Sequence, residues 1–183
     1  MGYPFRSRLE HDPSGEVSVV QMKDIDSNNL VHVEQAIRVS LPEGKGHHLL
    51  RPGDLLFRSR GQSNGAAQVS DGIGEAVVAA PILRIRSHSV LPGYLCWFLN
   101  TPLTQQQLST FAAGTSVRMI SAEALKDLEV PVPPATVQRR IAEVAALVDY
   151  ELALMARIAT ERQRLVTHYL IQSARRTTRK ATS

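Results

Sequence analysis

The sequence predicts an α+β protein, a mixed α/β head followed by one long C-terminal coiled-coil helix. Three observations carry that expectation. Up to Pro134 short runs rich in Val, Leu and Ile alternate with turn residues; "EVPVPP" punctuates the chain at 129–134; and from Ala135 to the end there is neither proline nor glycine. A chain of 183 residues with 43% hydrophobic side chains can bury one ordinary core, and with only 5% aromatics that core leans on aliphatic residues.

The elements follow in order. "GEVSVVQM" is bounded by Gly15 and the turn cluster "KDIDSNN", which predicts a strand and then a loop; "LVHVEQAIRV" supplies another strand. In "LLRPGDLLFRSRGQSNG", Pro52 and Gly53 suit the centre of a type II turn, because proline presets the first φ and glycine accepts a positive second φ. "DLLF" continues as a strand. "EAVVAAPILRIRS" gives two more, and its alternation places Arg84 and Arg86 on one face. "PGYLCWFLN" and "PLTQQQLSTFAAG" read as two short helices divided at Pro102, with Gly114 as a stop. In "ISAEALKDL" Ser121 caps a helix while Ile120 and Leu125 form a hydrophobic staple.

Thr136 is the candidate N-cap of the long helix. Heptads place Ile141, Val148, Met155, Arg162 and Tyr169 at one position and Val144, Glu151, Ile158, Leu165 and Gln172 at another, flanked by Ala145, Leu152, Ala159 and Val166. From Thr136 to about Ala174 such a helix extends roughly 58 Å, against a domain width of ~30 Å. Part of its apolar stripe therefore needs a partner. Glu151 and Arg162 interrupt the stripe: parallel pairing of two copies sets like charges together, whereas antiparallel pairing brings Glu151 toward the partner's Arg162. The other reading sends both residues to solvent from the edge of the seam.

Charge and motifs narrow the function. The net charge of +4 is matched by Arg175, Arg176, Arg179 and Lys180 of the closing "ARRTTRKATS", a stretch expected to be a disordered basic tail. The remaining body is near neutral, so any nucleic-acid surface has to come from local clusters. No apolar window is long enough for a membrane span, and the start lacks the apolar middle of a signal peptide. Cys96 is the single cysteine, which excludes an internal disulfide; in "GYLCWFLN" it reads as a buried thiol. Walker A, G-x-S-x-G and paired-cysteine zinc motifs are absent, and "DGIGEA" reads as a turn. His47 and His48 are adjacent, so on a strand they diverge and cannot easily share a metal.

Two polar stretches suit DNA. "RSRGQSN" offers Arg58, Ser59, Arg60, Gln62, Ser63 and Asn64, and "GTSVR" adds Thr115, Ser116 and Arg118. Arginine reads guanine edges bidentately, Gln and Asn read adenine, and Arg holds phosphates.

Taken in order, "VVQMKDI", "HLLRPGDLLFRSRG", "AVVAAPILRIRS", "YLCWFLNTP", "AAGTSVRMISAEALKDLEVPVPP" and "VQRRIAEVAALVDYELALMARI" resemble one half of a type I restriction-modification specificity subunit. The resemblance implies a target recognition domain at 1–134, a long helix at 135–174 for association, and a basic tail at 175–183. It also implies a non-catalytic, cytoplasmic DNA reader without a cofactor of its own. Methyltransferase subunits would bind S-adenosylmethionine, and an ATP-driven restriction subunit would complete the system. Family members usually carry two recognition domains and two antiparallel helical regions; this chain resembles half. Two copies paired through antiparallel helices would restore the arrangement, while a truncated or separately encoded half with a different partner is the alternative. The start falls almost at the first strand, so any preceding family segment is expected to be missing or short. Arg60, Gln62 and Asn64 are the expected base readers; Arg58, Arg84 and Arg118 are the expected phosphate contacts. Ile141, Val144, Val148, Leu152, Met155, Ile158, Leu165 and Tyr169 form the expected association stripe. The competing class is a non-DNA adaptor, an α/β head on a coiled-coil stalk; a hydrolase using His47 or Cys96 is a third.

Overall fold

The structure is a computed structural model and describes residues 2, 3, 5, 9–42, 44, 46–61, 64–111 and 119–180, with backbone alone at 175–180. The chain forms two compact units, Met1–Glu143 and Val144–Ser183. Strands β1 (Val17–Val20), β2 (Ile37–Val39), β3 (Leu55–Arg58), β4 (Ala66–Gln68), β5 (Ala76–Val78) and β6 (Ile82–Ile85) precede helices α1 (Pro92–Asn100), α2 (Pro102–Phe111), α3 (Ala122–Lys126) and α4 (Ala135–Lys180). The α+β class follows directly.

The strands make two three-stranded sheets, ordered β2-β1-β5 and β4-β3-β6. In the first, β1 runs antiparallel to β2 and parallel to β5; the second is antiparallel throughout. Strand β3 shows why "DLLF" carries no alternation: it is buried on both faces. Leu56 joins Val20, Leu50, Val69 and Ile82 in a cluster drawn from both sheets, while Leu55 and Phe57 pack with Leu99, Leu108 and Ile120 beneath the helices. A third cluster, with Val17, Val19 and Val77, lies on the first sheet.

The "RPGD" turn forms as its residues dictate. Gly53 takes φ +84, and Asp54 N donates to Arg51 O at 2.9 Å. Asp54 is 1% exposed and receives Arg86 through two 2.6 Å hydrogen bonds, which hold the Arg86 pKa above the ordinary arginine value against the opposing effect of burial. Ser121 caps α3 by accepting from Ala124 N at 3.1 Å, with Ile120 and Leu125 both in the helix-side cluster.

Some expectations shift. Only Ile37–Val39 of "LVHVEQAIRV" pairs as a strand, and β4 is an element that the pattern did not indicate. Helix α4 starts at Ala135, with Pro134 O accepting from Val137 and Gln138, so Thr136 lies inside the first turn. Its backbone runs on to Lys180 through residues 175–180, since no proline or glycine stops it. Gly114 lies outside the described residues. The start of α4 is fastened by Gln138, 3% exposed, whose amide oxygen accepts from Leu91 N (2.9 Å) and whose nitrogen donates to Pro133 O (2.8 Å). No helix among the described residues is long and apolar enough to cross a membrane.

Candidate nucleic-acid interface

The stretch between β3 and β4 is held at both ends. Entering it, Ser59 O accepts from Ile120 N at 2.8 Å, and the Ser59 hydroxyl donates to Pro81 O. Leaving it, Asn64 Nδ2 donates to Arg58 O (2.9 Å), while Gln105 on α2 donates to Asn64 O (3.0 Å) and Leu99 O (2.6 Å). Asn100 at the end of α1 then pairs with Ala66 as a neighbouring strand would, accepting from its N–H and donating to its carbonyl, each at 2.8 Å. Between these anchors Arg60 is exposed and Gly61 takes φ +119.

The loop after β3 meets the start of the segment leading into α3 through the backbone. Arg60 forms an antiparallel bridge with Met119, which directly follows Arg118 in the chain and is itself 53% exposed. Gln62, Ser63, Thr115, Ser116 and Arg118 lie outside the described residues.

Three expected DNA contacts sit elsewhere. Arg58 was expected to contact phosphate, yet it is 8% exposed, with Nη1 on Asp26 O (3.2 Å) and Nη2 on Asn29 Oδ1 (2.5 Å). Burial pushes its pKa down, and the nearby Asp26 charge opposes this. Ser59 is 3% exposed. The physical reason is that β3 ends inside the head rather than at its surface. Arg84 is half-buried and gives Nη1 to the carbonyls of His47, His48 and Leu49 at 3.1–3.2 Å, so it secures a loop instead of offering a free fork. Arg84 and Arg86 do share a face, as the alternation requires.

The structure also brings in residues that sequence reasoning left out. Asp26 organises the loop after β1, accepting from Asn28 N (2.9 Å) and Leu30 N (2.8 Å) and lying 3.2 Å from His32 Nε2. Burial works to raise the Asp26 pKa, but the hydrogen bonds from Leu30, His32 and Asn28, with the His32 charge, hold it below the ordinary carboxylate value. Asn29 takes φ +60, which Asn tolerates better than most residues. Asn28 and Leu30 are exposed, and Met22 lies beside Gly61. The signal was present in "KDIDSNN", whose Asp and Asn residues favour side-chain-capped turns.

His47 and His48 lie in a 3-10 turn with ring centroids 4.0 Å apart. No group of three His, Cys, Asp or Glu side chains among the described residues could hold a metal ion. The Cys96 thiol, partly buried, donates to Ala66 O at 3.4 Å.

The head thus combines two small sheets with a polar loop end bridged to Met119, and a long helix follows the proline-rich stretch. No family model and no curated protein sequence matches the chain. Solved structures do. The HsdS subunit from Thermoanaerobacter tengcongensis aligns with TM-score 0.61 at 19% identity, over 80% of this chain and 39% of that one. A chain from a structure of the type I R-M system, solved to address complex assembly and conformational transition, aligns with TM-score 0.64 at 20% identity, again over 80% and 39%. This chain therefore has an HsdS-like fold and spans less than half the length of either relative.

Proposed function

We propose that the protein is the sequence-reading component of a type I restriction-modification system, a non-catalytic specificity subunit that works in the cytoplasm. The observation that carries this reading is the HsdS-like fold, with its polar loop end at Arg60 and Met119 held open to solvent by a fixed frame. Arg60 and Asn64, with Gln62, Ser63, Thr115, Ser116 and Arg118, would meet double-stranded DNA. Methyltransferase subunits carrying S-adenosylmethionine, and an ATP-driven restriction subunit, would supply the chemistry.

A second copy is the partner proposed for α4. After Arg139 and Arg140 in its first turns, the helix is acidic at Glu143, Asp149 and Glu151, then mostly basic from Arg157 through Arg162 and Arg164 to Lys180. Antiparallel pairing joins the acidic stretch of one copy to the basic stretch of the other; parallel pairing joins like to like. The register that sets Glu151 against the partner's Arg162 also sets Val148 against the partner's Leu165 and Met155 against the partner's Ile158. Such a twofold dimer would read an inverted repeat.

The test is to combine the full chain with methyltransferase subunits and map methylated bases genome-wide. A recurring split, inverted-repeat site is the expected result. Duplex binding should weaken steeply with salt as released counterions accumulate; a flat salt response and no methylation would support the adaptor reading instead.

A further inference from the structure

We infer that Arg58 is a positioning residue that locks the loop 26–32 to the described ends of the next loop, 59–61 and 64–65, in one composite reading surface; this rests on the DNA-reading role proposed above. Three separate pieces of chain meet at this side chain. Its guanidinium donates to Asp26 O and Asn29 Oδ1, residues 32 and 29 positions away in sequence. Its own backbone closes the second loop: Arg58 N donates to Gly65 O at 3.0 Å, and Arg58 O accepts from Asn64 Nδ2 at 2.9 Å. The meeting is tight, since a Cβ on Gly65 would fall 2.2 Å from Asn29 Oδ1 and 2.9 Å from Arg58 Nη2.

Core stability alone is a poor account of this arrangement. The buried guanidinium hydrogen-bonds a carbonyl and an amide oxygen, with only the nearby Asp26 charge to offset burial, and its Nε has no hydrogen-bond partner among the described residues. A well-packed apolar side chain usually serves a core at least as well as a buried charge, and an orphaned donor adds to the cost. What the planar fork provides is a fixed distance and angle between two loops that no sheet connects. Asn28, Leu30 and Arg60 lie exposed on these loops. Asn28 therefore joins Arg60 as a base-edge candidate, and the two loops shift together when the clasp is altered.

Two substitutions in the full chain test this. Asn29→Gly removes the acceptor while tolerating the positive φ, and Asn29→Asp keeps the acceptor. In the free protein, Asn29→Gly should speed amide exchange about tenfold at Arg58, 59–61 and 64–65 as well as in 26–32, with Leu55–Phe57 and β6 unchanged; Asn29→Asp should restore protection. Acceleration confined to 26–32 would overturn the coupling. In selection from a random duplex library, Asn29→Gly and Arg58→Lys should flatten base preference at more than one position while affinity for random duplex stays within about twofold. Base preference identical to that of the unaltered chain would also overturn it. An unaltered chain that selects no sequence would refute the reading role itself, which the exchange measurement keeps separate from the clasp.

Discussion

In the Met1–Glu143 unit Leu55, Leu56 and Phe57 are completely buried, whereas in the Val144–Ser183 unit Leu147, Leu165 and Tyr169 keep 68, 73 and 70% of their surface exposed. Both segments are rich in large aliphatic residues, so composition does not distinguish them. Topology does. The head folds strands against helices and covers its own apolar surface; the helix leaves the large apolar residues of its stripe exposed. The same kinds of side chain are therefore core in one segment and surface in the other.

Four perturbations break or sharpen that contrast. Phe57→Ala empties the helix-side cluster and should cost about 3–5 kcal/mol of head stability, read as a lowered midpoint in denaturant unfolding. Ile158→Glu should leave head stability within about 0.5 kcal/mol, while sedimentation shows dimer stability falling by about 1–3 kcal/mol as a charge enters the apolar seam. Glu151→Arg and Arg162→Glu should each weaken association several-fold, and the double swap should restore it; failure of the double swap to recover would favour parallel pairing. The smallest effect belongs to Asp26. Its folded pKa lies below the unfolded value of 3.8, so its stabilising hydrogen bonds are intact above that pH and are lost as pH falls through the lower folded value. Amide exchange at Asn28 and Leu30 should rise only in that acidic window.

Local rules located most elements because local chemistry decided them. The Pro52-Gly53 turn, the Ser121 cap and the uninterrupted helix each depend on a few adjacent residues. Strand β4 escaped notice because "AAQ" has no apolar alternation, and its pairing with Asn100 comes from 34 positions away. Arg58 was misplaced for a related reason. Its spacing from Arg60 is that of two residues on one strand face, but its acceptors sit on a loop that only the tertiary fold brings near. The candidate site was legible as an inventory of polar residues; which of them point outward depended on where β3 ends.

Gly65 carries a practical consequence for anyone wishing to retarget the protein. Any side chain there would have to push aside Asn29 and Arg58, so combinatorial libraries that spare glycine 65 should keep the two loops joined in more clones than those that randomise through it.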